Sequence, residues 1–436
     1  MTACLRSRLP GVSPAAIGGT LATRLLATAM SFAAAVIAAR GLSVHDRATL
    51  AIMVSVPAVL SILTVFGLDN ANARFAGISH TAFRQIFRWS IGYSLVAGSA
   101  LAGLWLLLGR VWPVVLLGMP LRLALLAAVL CPVTLLTTLL GTAEIGRGRV
   151  TTYNVTTAVP AASYLSGVCG MMIAGSVTVT GCFLAALAGQ LASAGALLVA
   201  ASDRVHADGE RVPARRFGSF AIRAYLPNLI HFGMLRLDIP VIQLLAGSTA
   251  VAMYAVALPV AEGLFLLPTA VALVIFPRVT AGAVDARAAA RIAWTVLAAV
   301  AAAAVAAATL APVLFPVIYG QPYADAVHVI WAKLPGLVLF SAGRPLQAYL
   351  AGVDLLRPIV IATVAGAVVT IALLMTLVPR YGAVGAGAAD SAGYLVFAAL
   401  LSRSIRQGRS VREAWSVLAG RPGVARAALA VAAPAA

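Results

Sequence analysis

The sequence predicts an all-α polytopic membrane protein, with about 12 transmembrane helices in two pseudo-symmetric six-helix lobes around a central cavity. Three observations predict it. The 436 residues are 62% hydrophobic and only 10% charged, with a mean hydropathy of +0.99, whereas soluble domains carry roughly 25% charged residues. Apolar runs recur at a length of about 20 residues, which a helix rising 1.5 Å per residue needs to cross a hydrocarbon layer about 30 Å thick. Finally, the first half of the chain overlays the second at a shift of about 207 residues in the same orientation, the pattern of a parallel repeat in an alternating-access transporter.

The spans fall at residues 15–39, 48–69, 89–109, 119–142, 153–175 and 179–201, then at 219–246, 250–276, 292–318, 327–351, 358–379 and 383–404. Arg6 and Arg8 ahead of the first run imitate a secretory leader. That run is too long for one and further spans follow it, so it reads as an uncleaved helix. Val111 to Leu117 suits either a loop or the start of the fourth span. The largest polar connector, DRVHADGERVPARRFG at residues 203–218, separates an N-terminal lobe, 1–202, from a C-terminal lobe, 219–405. Residues 406–436 form a tail whose apolar end is too short to cross. The repeat sets Arg149 over Arg357 and Arg24 over His231.

Net charge is +18, but the basic residues are spread through loops instead of being gathered on one domain, which argues against nucleic acid as a partner. They crowd the segments on the side of the N-terminus and leave Arg40, Arg47, Arg110, Arg122 and Arg380 on the other. The positive-inside rule then places both termini in the cytoplasm of a multi-pass plasma-membrane protein. Cys131, Cys169 and Cys182 lie within apolar spans and Cys4 in the leader, without metal-ligand spacing. Neither a disulfide framework, a metal nor a cofactor is expected. No GxxxxGK[ST], HExxH or GxSxG motif occurs, and the outside loops are short, so neither nucleotide-driven transport nor extramembrane catalysis fits. Energy would come from an ion gradient, the membrane potential or the substrate gradient.

Ionisable groups within the spans are the candidates for function, because charge in hydrocarbon is costly and rarely idle. The seventh span, AYLPNLIHFGMLRLDIPVIQLLAG, carries His231, Arg236 and Asp238 near its middle. Pro240 there lacks an amide proton and clashes with the Arg236 carbonyl, so a bend or break is expected at the charges. Arg24 shares a helical face with Thr20, Thr28 and Ser31 and lies too deep to reach the interface without strain. Glu262 sits between Pro259 and Pro268 and either serves an ion relay or pairs with Arg24 or Arg236. In the tenth span Lys333 and Arg344, three turns apart, share a face interrupted by Pro335 and Pro345. Two cations at different depths suit a multiply charged anion, with Arg as a bidentate fork and Lys as a point charge; snorkelling to opposite interfaces is the alternative. Asp390, beside Ser391 and near Tyr394, either pairs with one of these cations or exchanges an ion.

Several stretches resemble one family. FAAAVIAARGLSVHDRATLAIMVSVPAVLSILTVFGLDNANARFAG is similar to the opening of Wzx-type oligosaccharide flippases, with the exit from the second span at Gly67, Leu68, Asp69, Arg74, Phe75 and Ala76. RLDIPVIQLLAGSTAVAMYAVALPVAEGLFLLPTAVALVIFPRV resembles that family's seventh and eighth spans through Arg236, Asp238, Gly247, Tyr254, Ala257 and Pro277. IYGQPYADA resembles the turn before its tenth span. Ser43 and Val44 replace the family's usual Gly-Pro, and Ala252 a glycine. The resemblance implies membership of the superfamily that also holds multidrug exporters and lipid II flippases. It implies translocation of an undecaprenyl-pyrophosphate-linked oligosaccharide across the bacterial inner membrane, alongside a polysaccharide polymerase and chain-length partners. On this reading Arg24, Lys333, Arg344, Arg236 and His231 bind substrate within membrane lipid. Asp238, Glu262 and Asp390 pair with the cations or exchange a proton or sodium ion. A cation-coupled drug exporter of the same fold and a membrane-embedded polymerase are the alternatives.

Overall fold

The computed structural model describes residues 14–201, 209–280, 282–353 and 355–419, all in helices and short connections. In chain order the helices are α1 (Pro14–Gly41), α2 (Val44–Val65), α3 (Leu68–Phe75), α4 (His80–Val111), α5 (Leu121–Gly146), α6 (Val150–Ile173) and α7 (Val179–Ala200). The second half holds α8 (Ala214–Arg236), α9 (Asp238–Thr280), α10 (Ala286–Tyr319), α11 (Ala326–Gly352) and α12 (Leu356–Ala419). Val111 to Leu117 belongs to a connection, built on a 3-10 turn at Pro113–Leu116.

Ten of these helices are long and apolar enough to cross a membrane. Two of them hold a hairpin. Gly247 (φ 78°, ψ −175°) divides α9, and Gly382 (φ 56°, ψ −133°) divides α12. Glycine is needed at both because a Cβ penalises positive φ. Joining α8 with 238–246 and dividing α9 and α12 at these glycines gives twelve membrane-length segments among the described residues. The elements run longer than the apolar runs imply: α4 begins at His80 and α8 at Ala214, inside the stretch assigned to the connector. Polar first turns can continue a helix into the interface, where hydropathy no longer marks it.

The seventh crossing breaks at Leu237, between Arg236 and Asp238. Pro240 then falls in the first turn of α9, where backbone amides have no intrahelical acceptor and its missing proton costs nothing. Asp238 consequently opens a helix, with its carboxylate on the positive end of the dipole.

Helices α1, α2, α4, α5, α6 and α7 pack mainly among themselves, as do α9 to α12; α1 and α2 meet α9, and α3 meets α8, across the two halves. We term the end where α1 starts the near end and the opposite one the far end. At the far end the halves are clasped. Arg40 donates to the carbonyls of Val317 and Ile318 in the last turn of α10, a helix terminus that favours a cation. Phe32 meets Tyr319 edge-on with ring centroids 6.3 Å apart, and Gln243 donates to the Leu117 carbonyl at 3.0 Å.

Close helix contacts rest on small residues. Against α11, the Ser391 hydroxyl of α12 accepts from the Gly336 amide at 3.1 Å and donates to the Ala332 carbonyl at 2.6 Å. It thereby joins two groups four residues apart beside Pro335, the way an inserted hydroxyl produces a kink. A Cβ on Gly336 would stand 2.1 Å from Ser391 Cα. Gly336→Val should therefore destabilise the protein by about 1–3 kcal/mol or more through overpacking, read as a lower unfolding temperature in detergent. Unchanged stability would show that α11 and α12 can part without loss.

Candidate functional site

The helix break at Leu237, the hairpin at Gly247 and the kink at Pro335 bring four side chains together in the second half. Lys333 (4% exposed), Asp238 (6%), Tyr254 (0%) and Asp390 (1%) are buried as one cluster. The Lys333 ammonium pairs with Asp390, lies 3.8 Å from Asp238 and donates to the Tyr254 hydroxyl. It also stands 4.7 Å from the centre of the Tyr254 ring, within range of a cation–π contact. Tyr254 Oη contacts Asp390 Oδ2 at 2.7 Å and Asp238 Oδ2 as well.

A phenol has one proton, so Tyr254 donates to only one of the two carboxylates at a time. An uncompensated charge in a dry interior is expensive, so the ammonium and the carboxylates hold one another in place. Asp390 Oδ1 remains enclosed without a partner.

The other predicted residues lie elsewhere. Arg236 and Glu262 form a loose pair at 3.7 Å with both side chains about half exposed, at 54% and 49%. Lys333 does not share a cavity wall with Arg344 as the common face suggested; it is buried against Asp238, Tyr254 and Asp390. The side chain of His231, like those of Pro227 and Met234, lies outside the described residues.

Arg24 and Arg344 are placed differently from every other intramembrane charge. Both are half-buried, and each is close enough to the other for their like charges to interact across the gap between the halves. Arg344 donates to Gln347 Oε1 at 2.9 Å. Among the described residues neither has a carboxylate partner.

Gln347 also lines a near-end cavity of about 690 Å³ with Asn70, Arg74, Phe220, Arg223 and Thr363. This cavity separates α3 from α11 and α12, and among the described residues its lining contains no acid. Arg74 lies over the Phe220 ring at 4.7 Å, and Arg223 donates to its own helix at the Ser219 carbonyl. A second, almost wholly apolar cavity of about 360 Å³ adjoins it through Ile230 and Val364 and is walled by α2, α8 and α12. The structure thus presents a chamber edged by Arg74 and Arg223, an apolar side chamber and a clasped far end.

Sequence reasoning did not single out Tyr254, Asn70, Arg74, Arg223 or Gln347 as site residues. Tyr254 carried a usable signal, since it mirrors Asp238 across the Gly247 turn.

The architecture is an all-helical membrane fold of two lobes. The sequence belongs to the family of polysaccharide biosynthesis proteins, whose profile matches residues 37–328. No curated protein sequence matches the chain. Among solved structures, the fold is similar to the lipid II flippase MurJ in an inward closed conformation, with a TM-score of 0.66, 12% identity and coverage of 89% of this chain and 87% of that one. It is also similar to an inward-facing multidrug resistance MATE family transporter of the MOP superfamily, with a TM-score of 0.61, 16% identity and coverage of 88% and 95%. At these identities the likeness is one of fold.

Proposed function

We propose that the protein moves a polyprenyl-pyrophosphate-linked oligosaccharide across the bacterial inner membrane, from the cytoplasmic to the outer leaflet, by alternating access between its lobes. One observation carries the reading: Arg24 and Arg344, one from each half, lie near enough for their charges to interact, and among the described residues no acid neutralises either. Two like-charged guanidinium forks are costly unless a multivalent anion enters, and a pyrophosphate supplies it. The near-end chamber would take the sugars on Asn70, Gln347 and the two arginines, while the apolar side chamber accommodates the start of the lipid chain.

Family membership supports a role in surface polysaccharide synthesis. The basic residues of the near-end loops support a cytoplasmic near end and cytoplasmic termini. In this reading the present state is open to the cytoplasm and closed outside. Lys333 serves a proton-holding cluster with Asp238, Tyr254 and Asp390, and loss or gain of that proton biases the packing of α9, α11 and α12. Proton coupling fits better than sodium because the ammonium already fills the cation position between the carboxylates. A cationic drug fits poorly, since the chamber offers it no acid.

Deletion of the gene tests the proposal. A complete undecaprenyl-pyrophosphate-linked repeat unit should accumulate on the cytoplasmic leaflet while surface polymer disappears. Normal surface polymer, or accumulation only of incomplete units, would overturn it.

A further inference from the structure

At the far end the first turn of α2 carries Arg47, a buried cation that the site above does not use. Its side chain is 8% exposed, and Nε is enclosed without a hydrogen-bond partner. Among the described residues no carboxylate pairs with it; the neighbouring Asp46 carboxylate accepts from the Ser43 hydroxyl at 2.7 Å. Tyr319 and Tyr323, from the other half, are each 2% exposed, and both hydroxyls are also enclosed and unbonded. Tyr164 and Cys182 complete the surroundings, and all four side chains lie within reach of the Arg47 charge.

A buried guanidinium with no carboxylate partner among the described residues, near two buried phenols whose oxygens bond nothing, is an expensive arrangement. The charge has one sign: the guanidinium is cationic, and its described surroundings supply no anion to balance it. The cluster also straddles the two halves, with Arg47, Tyr164 and Cys182 on one and Tyr319 and Tyr323 on the other. Parting the halves at the far end would expose it, and the Arg40 clasp on α10 closes it here.

We propose that Arg47, Tyr319 and Tyr323 form a second, far-end station for a phosphoryl anion, occluded in this state and opened when the halves part. The proposal rests on the transport reading above and adds the place where the cargo's diphosphate is received before release. Arg24 and Arg344 hold the anion when the near end is open, and Arg47 takes it when the far end is. The oxygens of a diphosphate would satisfy the guanidinium and both phenols at once.

Cys182 offers a native reporter, since it is fully buried beside Arg47. In phosphatidylcholine proteoliposomes, a variant with Cys4, Cys131 and Cys169 replaced by serine is labelled at Cys182 with a membrane-impermeant maleimide from the far side. Inorganic pyrophosphate at millimolar concentration should slow labelling by about fivefold or more, as a charge-assisted anion contact would. Arg47→Gln and the Tyr319→Phe/Tyr323→Phe pair should lose that protection, and Arg47→Lys should keep part of it.

Equal protection in Arg47→Gln, equal protection by chloride at matched ionic strength, or no labelling during transport would each overturn the proposal. Protection by phosphatidylglycerol in the vesicles without pyrophosphate would assign the pocket to a lipid headgroup and overturn it too. Failure of the transport reading shows separately, as surface polymer that survives loss of Arg24 and Arg344, because thiol protection requires no cargo.

Discussion

Lys333→Met should destabilise the protein by about 3–5 kcal/mol, the usual cost of removing one member of a buried ion pair. The variant leaves Asp238 and Asp390 buried around one phenol with no cation between them. Methionine fills a similar volume, so the loss reports charge and not a cavity. Replacing both partners relieves the imbalance: Lys333→Met/Asp390→Asn should recover much of the stability, with a coupling of about 1–3 kcal/mol in the double-mutant cycle. Thermal unfolding in detergent measures all four proteins. Losses that simply add would show that the cluster is not one electrostatic unit. Transport should remain absent in the double variant although it folds, because the proton-holding site is gone.

Arg24→Ala and Arg344→Ala should each abolish surface polysaccharide while the protein stays in the membrane at its normal amount. Their effect on stability should have the opposite sign to that of Lys333→Met. Neither arginine has an acid partner among the described residues, and the two repel each other, so removing one relieves a cost instead of stranding a charge. The loss falls on the anion: hydrogen bonds to a charged group contribute about 1.5–3 kcal/mol each, or roughly 10–100-fold in binding. Arg344→Lys should retain partial export, as charge survives but the planar fork does not. Quantified surface polymer and membrane immunoblots give the result. Normal export in both alanine variants would remove the basic gap as the substrate site.

Much of the polar cluster was open to a reading by depth alone. Asp238 lies about nine residues before Gly247, Tyr254 about seven after it and Asp390 about eight after Gly382, so at 1.5 Å per residue all sit roughly 10–13 Å from the far end. Lys333 enters the same layer from the start of α11. Equal depth shows which residues are able to meet. It does not show which do, because that depends on how each helix is turned about its axis. Lys333 and Arg344 illustrate the difference: three turns apart on one helix, the first is buried among carboxylates and the second bonds Gln347 and meets none among the described residues. Arg47 shows the limit from the other side. In the sequence it is an ordinary loop-proximal arginine, and only the arrival of Tyr319 and Tyr323 from the other half encloses it.

The sequence by itself determined the all-helical membrane class, the turns between the spans at Gly247 and Gly382, an interruption of the seventh span near its charges and the resemblance to the family. Those follow from local properties, namely the hydrocarbon length a bilayer imposes and the backbone limits of proline and glycine. Tertiary structure alone decided which cations are neutralised by carboxylates and, among the described residues, which are not. Pairing in a dry interior is settled over a few ångströms between helices distant in sequence, where desolvation and geometry outweigh any pattern along the chain.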